Sequence, residues 1–217
     1  MQPPALHLIE ASPLPCLLSL PGNREAAPEP RPVLCFLHGY DEGPPRALRD
    51  GLTRHGPLRP ASSALATAEF LVVAPQLPRR GDLWHLQAGA VQELVGEVRK
   101  LYHGDPERTY LTGFSYGANG VFDLALGQPG FWAALWPVDP TRIPAADPGR
   151  PVWLSSGEIS RRAAGGFIRR LRLKTLEEAP GDRVYLDQGR DHVGTAALAY
   201  SDDRIYHWLL ARRLPGQ

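Results

Sequence analysis

Short runs of apolar residues, each bounded by glycine, proline or polar residues, recur along the chain from about residue 33 onward. Runs of this length that are rich in β-branched and aromatic side chains predict β-strands. They show little alternation with polar residues, which indicates that both faces of the sheet are covered. The predicted strands run from Val33 to Leu37, Phe70 to Ala74, Thr109 to Thr112, Ala133 to Val138, Val152 to Ser155 and Val184 to Asp187.

Between the strands the apolar positions change to the three- and four-residue spacing of a helix. The first helix is predicted between the second and third strands. A second is predicted to start near Tyr116, and a third, near the C-terminal end, contains Trp208. Strands that alternate with helices predict a mostly parallel sheet with helices on both faces. The sequence therefore predicts an α/β fold with about seven or eight strands, in a single domain over residues 1–217. The first helical face is made by Val91, Leu94, Val95, Val98 and Leu101.

Composition narrows the range of partners. The chain has 217 residues, 43% of them hydrophobic, and a formal net charge of +1. Such a balance predicts no nucleic-acid partner and no acidic membrane surface. The first residues carry no basic start followed by an apolar stretch, and no segment approaches the ~18 apolar residues of a membrane span, so we expect a cytoplasmic protein. Cys16 and Cys35 lack metal-ligand spacing, so we expect neither a bound metal nor a disulfide framework.

The segment YLTGFSYGANG, Tyr110 to Gly120, carries the first candidate for chemistry. Gly113 and Gly117 flank Ser115 at the spacing of a nucleophile elbow, in which the chain turns sharply from strand to helix. The residues two before and two after such a serine lie so close together that side chains would collide. A predicted strand before the turn and a predicted helix after it supply the context that the motif requires. Ser115 is therefore the predicted nucleophile.

A serine hydroxyl needs a neighbouring base to take its proton. His192 follows the last predicted strand and precedes the C-terminal helical region, which is where the base stands in the fold that carries this turn. The other six histidines fit surface or packing positions better. His38, in LHGYDEG, is expected to brace a loop.

The oxyanion of acyl transfer needs two backbone N–H donors. One comes from the residue after the serine, Tyr116, and the other from the loop after the third strand. Tyr40 is the best candidate in that loop, because Gly39 before it has no side chain and lets the backbone approach the reaction centre.

These stretches together resemble the alpha/beta hydrolases, and within them the small carboxylesterase, phospholipase and predicted-peptidase group. The resemblance covers nearly the whole chain and rests on VLCFLHGYDEG, FLVVAPQLPRRGDLW, RTYLTGFSYGANGVFDLA and YSDDRIYHWLL. It implies an alpha/beta-hydrolase fold with Ser115 as nucleophile and His192 as base. It also implies Tyr40 and Tyr116 as oxyanion donors and no cofactor.

The chain departs from the resembled group at the third catalytic residue. In that group the strand corresponding to PVWLSSGEIS ends in His-Gly and the aspartate follows two residues later; here those positions hold Ser156 and Ser160. Two carboxylates could substitute. Glu158 lies one residue after Gly157, and Asp139 follows the preceding strand, a position from which some alpha/beta hydrolases supply their acid.

The resulting hypothesis is a serine esterase that hydrolyses small or medium-chain carboxylic esters. Only the connections Asp41 to Glu69 and Pro140 to Pro151 are available to cover the site, which predicts an open cleft, and Trp84 is the preferred residue to line an acyl pocket. The displaced acid leaves two alternatives: a noncatalytic ligand-binding protein on the same scaffold, and a slow hydrolase with a Ser-His dyad. In each case we expect a small-molecule ligand, bound by a monomer or homodimer.

Overall fold

A computed structural model describes residues 5–10, 13–21, 29–176 and 181–215 of the chain. Nine strands of these residues form one sheet in the order β1-β2-β4-β3-β5-β6-β7-β9-β8. The pairs β1/β2 and β2/β4 are antiparallel and all other pairs are parallel. Their bounds are β1 Leu6–Ile9, β2 Cys16–Ser19, β3 Arg31–Leu37, β4 Leu71–Pro75, β5 Gly104–Phe114, β6 Ala134–Val138, β7 Val152–Ser156, β8 Lys174–Thr175 and β9 Arg183–Asp187.

Each of the six predicted strands is confirmed, most to within two residues. The largest difference is β5, which begins at Gly104 because its polar first half pairs at the sheet end, where no apolar run marks it. The predicted seven or eight strands are nine among the described residues. The two-residue β8 is too short to leave any periodicity in the sequence. The expectation of a single domain over the whole chain stays a prediction.

Eight helices and two short 3₁₀ turns, Tyr40–Glu42 and Trp84–Gln87, connect the described strands. The helices are α1 Leu48–Leu52, α2 Leu65–Glu69, α3 Ala88–Leu101, α4 Tyr116–Gly127, α5 Glu158–Arg161, α6 Ala164–Leu171, α7 His192–Ser201 and α8 Asp203–Leu210. The predicted apolar face of α3 is buried except for Leu101, which is exposed at the end of the helix. The predicted start of α4 at Tyr116 is confirmed. None of the helices in the described residues is long and apolar enough to cross a membrane.

Apolar side chains cover both faces of the sheet. Along β3, Val33, Cys35 and Leu37 face the layer that contains α3, α4 and α6, whereas Leu34 and Phe36 face the layer that contains α7 and α8. Successive side chains of a strand point to opposite faces, so a strand covered on both faces reads as a continuous apolar run. This burial explains why the sequence showed no polar alternation.

The carboxyl ends of β5, β6, β7 and β9 meet at one edge of the sheet because these four neighbours are parallel. Ligands bind at this edge in open α/β sheets. A functional site is therefore expected among the residues that follow these strands.

Candidate active site

Ser115 is the single residue between the end of β5 and the start of α4. Its φ is 56°, in the left-handed region that a non-glycine residue seldom adopts. Its side chain is half-buried, at the edge where the parallel strands end. A strained backbone at such a position is typical of functional sites.

The two flanking glycines are sterically required. A Cβ on Gly113 would lie 2.5 Å from the carbonyl oxygen of Gly117, and a Cβ on Gly117 would overlap the carbonyl oxygen of Leu37. The start of α4 is therefore pressed against the ends of β3 and β5. This close approach explains why both positions must be glycine, as the sequence motif predicted.

His192 and Asp139 form the central pair of the site. His192 is the first residue of α7, and its Nδ1 lies 2.6 Å from Oδ2 of Asp139, the residue directly after β6. The Asp139 side chain is fully buried, whereas that of His192 is 27% exposed. Of the two carboxylates that the sequence left open, Asp139 is the one in contact with the imidazole.

The connection from β7 to α5 holds the Asp139 carboxylate. Oδ1 of Asp139 accepts hydrogen bonds from the N–H groups of Gly157 (3.0 Å) and Ser160 (2.9 Å) and from the Ser160 hydroxyl (2.6 Å). Burial alone would raise the pKa of Asp139, but the hydrogen bonds from His192 and Ser160 outweigh it and hold the pKa below its ordinary value. Asp139 is therefore ionised near neutral pH, and Nδ1–H of His192 is the donor to it.

A chain of hydroxyl groups continues behind Asp139. The hydroxyl of Tyr185 donates to Oγ of Ser156 (3.2 Å), which lies 2.9 Å from Oγ of Ser160. Ser160 occupies the position at which the resembled group has its catalytic aspartate. In this chain that position does not provide a carboxylate but donates a hydrogen bond to the carboxylate of Asp139. No sequence signal marked this role, because the contact between Ser160 and Asp139 joins two different strand ends.

Glu158, the other predicted acid, points away from the imidazole. Its carboxylate pairs with Arg162 at 3.0 Å and its side chain is 47% exposed. The i,i+4 spacing within one helical stretch favours this surface pair over a reach toward His192. Asp191 also turns away from its neighbour and caps α7 by accepting from the N–H of Gly194 at 2.7 Å.

Phe114 connects the turn at Ser115 to the imidazole of His192. Its ring packs against that of His192 with centroids 4.6 Å apart and planes tilted by 34°, and Ser115 is the next residue. No hydrogen bond connects the Ser115 hydroxyl to the imidazole among the described contacts. Free enzymes often show loose catalytic contacts that tighten when substrate binds. The sequence analysis did not identify Phe114, since an aromatic residue before the serine carries no motif.

Both candidate oxyanion donors begin a helical segment. Tyr116 is the first residue of α4 and Tyr40 the first of the 3₁₀ turn Tyr40–Glu42, so neither N–H has an acceptor within its own helix. Their rings meet edge to face with centroids 6.0 Å apart. A Cβ on Gly39 would lie 3.5 Å from the carbonyl oxygen of Phe114, so the loop before Tyr40 also approaches the end of β5. The roles of both N–H groups as oxyanion donors stay predictions.

Trp84, the predicted acyl-pocket residue, lies in the core with 2% exposure. Its indole N–H donates to the carbonyl oxygen of His38 at 3.2 Å, and its ring packs where Gly120 of α4 leaves space. One edge borders a cavity of about 190 Å³ that Tyr116 also lines. Contacts within the core cover most of the Trp84 side chain, and its contact with an acyl group stays a prediction.

His38 braces the loop that carries Tyr40, as the sequence predicted. Its Nδ1 lies 2.6 Å from the carbonyl oxygen of Gly39, and its Nε2 accepts from the N–H of Leu77 at 3.1 Å. These contacts fix a neutral imidazole with the proton on Nδ1. Burial lowers the pKa of His38 to about 4, against a smaller opposing effect of the Gly39 hydrogen bond.

We expect His38 to make folding sensitive to acid. Its pKa of about 4 in the folded chain lies below the value of about 6.5 for an unfolded histidine. The unfolded chain therefore binds more protons between these values, so the contribution to stability is present above pH 6.5 and is lost as pH falls toward 4. When thermal unfolding is measured from pH 7.5 to 4.5, the melting temperature should fall less steeply with pH for His38→Gln than for the unmodified chain. His207→Asn, at an exposed histidine of α8, is the control; equal slopes for all three proteins would contradict the prediction.

Comparison with known proteins supports the fold and leaves the activity open. No protein-family model matches the sequence, and no curated protein matches it. Among solved structures, a thermostable esterase is similar with a TM-score of 0.72 and 19% identity; the match covers 97% of this chain but 63% of that one. A substrate-bound fluorophosphonate-binding serine hydrolase of Staphylococcus aureus, FphF, has a TM-score of 0.66 and 15% identity over 96% and 98% of the two chains. S-formylglutathione hydrolase (FrmB) of Staphylococcus aureus has values of 0.67 and 14% over 97% and 98%.

These likenesses, together with the strand order and the turn at Ser115, define the alpha/beta-hydrolase fold. At such low identity they show the fold alone. The chemistry has to be inferred from the residues of the site.

Proposed function

We propose that this protein is a serine hydrolase of the carboxylesterase type, acting on small or medium-chain carboxylic esters through an acyl-enzyme on Ser115. The observation that carries the proposal is the 2.6 Å contact between His192 and the buried Asp139 at the strand edge that also carries Ser115. Nucleophile, base and acid all come from the chain, so the proposed reaction needs no cofactor.

The proposed reaction has two halves. Oγ of Ser115 attacks the ester carbonyl carbon while Nε2 of His192 takes its proton, and the tetrahedral intermediate then expels the alcohol, which receives that proton from His192. Water attacks the acyl-enzyme in the same way, again losing a proton to His192, and the carboxylic acid leaves while Ser115 regains its proton. Asp139 keeps the proton of His192 on Nδ1 and stabilises the imidazolium in both halves.

Developing negative charge on the carbonyl oxygen needs donors that are already in place. The N–H groups of Tyr116 and Tyr40 are proposed for this role, because each begins a helical segment beside the nucleophile turn. Loss of one such donor typically lowers turnover by about 10²–10³.

The alternative of a noncatalytic binding protein arose because Ser160 occupies the position at which the resembled group has its catalytic aspartate. The contact of Asp139 with His192 favours the hydrolase over that alternative, because a carboxylate lies against the imidazole. The same contact weighs against a Ser-His dyad.

Labelling with a fluorophosphonate tests the proposal. We expect stoichiometric modification of Ser115, located by mass spectrometry, together with hydrolysis of short 4-nitrophenyl esters. Absence of both in folded protein would remove the proposal.

Ser160 provides a finer test of how the acid is held. Ser160→Ala removes the 2.6 Å donor to Asp139 but keeps the two backbone N–H donors. One charge-assisted hydrogen bond is lost, so we expect kcat to fall about tenfold with little change in KM. Without that donor the Asp139 carboxylate holds the imidazolium more tightly, so the acidic limb of the pH–rate profile, which reports protonation of the coupled carboxylate–imidazole pair, should move to higher pH. Ser156→Ala, one hydroxyl further away, is the control; equal profiles for the two variants would exclude a positioning role for Ser160.

A further inference from the structure

A cavity of about 450 Å³ opens beside Tyr40. Its lining brings together three arginines from separate segments of the chain. Arg46 follows the 3₁₀ turn Tyr40–Glu42, Arg54 follows α1, and Arg80 lies in the connection after β4. All three are exposed residues, and they share the lining of one cavity.

The cavity adjoins the candidate active site. Tyr40 lines it with a 48% exposed side chain, and the ring of Tyr40 lies 6.0 Å from that of Tyr116, the residue after Ser115. The Arg80 guanidinium carbon lies 5.6 Å from the centre of the Tyr40 ring. A small molecule bound in this cavity would therefore extend along Tyr40 toward Ser115.

The charges of the cavity do not cancel. None of the three arginines forms a salt bridge with a carboxylate in the part of the chain that the structure describes, and Arg46 uses only Nε on a backbone acceptor, the carbonyl oxygen of Asp41 (3.0 Å). Asp41 is the one acidic residue among those that line the cavity. Glu42 is buried close by; burial raises its pKa, and the charges of Arg54 and Arg46 oppose that rise.

His55 lies between this region and the pair formed by His192 and Asp139, and its Nε2 is 3.6 Å from Oε1 of Glu42. Its ring lies 5.0 Å from that of Phe114, whose other neighbour is His192. Burial, followed by the positive charges of Arg54 and Arg59, lowers the pKa of His55 to about 4. His55 is therefore neutral near pH 7 and adds no positive charge of its own.

We propose that the cavity formed by Arg46, Arg54, Arg80 and Tyr40 binds an anionic group of the substrate, so that the preferred esters carry a carboxylate or phosphate in addition to the scissile ester. The planar guanidinium group binds such oxyanions through paired hydrogen bonds. A volume of about 450 Å³ accommodates a small charged chain. This inference rests on the proposed function and names its substrate class.

Two esters of equal chain length test the inference: 4-nitrophenyl hydrogen glutarate, which carries a carboxylate, and neutral 4-nitrophenyl valerate. We expect kcat/KM to favour the glutarate by about tenfold or more, and the preference to weaken as salt is added. The double variant Arg54→Gln/Arg80→Gln should reduce the ratio of the two kcat/KM values about tenfold. Arg79→Gln, an exposed neighbour outside the cavity, should leave the ratio unchanged. Inhibition of valerate hydrolysis by glutarate or by inorganic phosphate tells which anion is preferred.

The outcomes separate this inference from the proposed function. A ratio near one that the arginine variants do not alter overturns the anion site, while hydrolysis of both esters leaves the esterase proposal intact. If neither ester is hydrolysed, the proposed function fails, and titration calorimetry with glutarate and inorganic phosphate decides the anion site. Binding that is lost in Arg54→Gln/Arg80→Gln supports it, and absence of binding to the unmodified chain overturns it.

Discussion

Replacing Ser115 by alanine is expected to lower kcat for short 4-nitrophenyl esters by about 10⁴–10⁶ and to abolish fluorophosphonate labelling. The change removes only the attacking oxygen, and alanine meets the same backbone constraint at φ 56° as serine does. We therefore expect the variant to fold and to keep its melting temperature within a few degrees. Ester hydrolysis at matched concentrations, with mass spectrometry of the labelled protein, measures both effects.

The control for this experiment is Ser201→Ala, which removes the hydroxyl of an exposed serine at the end of α7. It should be labelled and should turn over ester like the unmodified chain. Full activity in Ser115→Ala would mean that another group attacks the ester, and the proposed mechanism would have to be abandoned.

Replacing Asp139 by asparagine is expected to lower kcat by about 10³–10⁴. The amide cannot stabilise an imidazolium, and its NH₂ group can face Nδ1 of His192, which favours the wrong tautomer of the ring. Asparagine tolerates a positive φ well, so the backbone of residue 139, with φ 44°, should be retained. Steady-state kinetics together with unfolding curves separate the loss of rate from any loss of fold.

Glu158→Gln is the matched control, because it neutralises the other carboxylate that the sequence nominated. Its partner is Arg162 on the surface, so we expect kcat within about twofold of the unmodified value. A large loss in Glu158→Gln would reverse the assignment of the acid. Silence of both variants would instead support a Ser-His dyad.

Short-range features of the sequence predicted most of the fold. Apolar runs located six strands, and the spacing of Val91, Leu94, Val95 and Val98 located α3. Both were visible because a buried strand or a buried helix face requires apolar residues at positions close together in the sequence. The turn at Ser115 was equally visible, since the flanking Gly113 and Gly117 are sterically required within five residues. Leu101 and β8 were exceptions: a helix end and a two-residue strand contain too few positions for a pattern.

The carboxylate that contacts His192 could not be identified from the sequence in this way. Asp139 and Glu158 were equally compatible with the sequence, because each follows a predicted strand. Packing of β6 beside β7 brings Asp139 under the N–H groups of Gly157 and Ser160, whereas the helical spacing of Glu158 and Arg162 directs Glu158 to the surface. Both outcomes depend on the three-dimensional course of the connections at the strand ends.

The sequence by itself determined the alternation of strands and helices, the turn at Ser115 and the position of His192 after the last long strand, because each of these depends on residues close together in the chain. Only the tertiary structure decided that Asp139 meets His192, that Ser160 holds Asp139, and that three arginines surround one cavity beside Tyr40. Asp139 and His192 are 53 positions apart and Ser160 and Asp139 are 21 apart. Arg80 belongs to a different connection from Arg46 and Arg54, so none of these contacts follows from local sequence until parallel strand ends and their loops pack together.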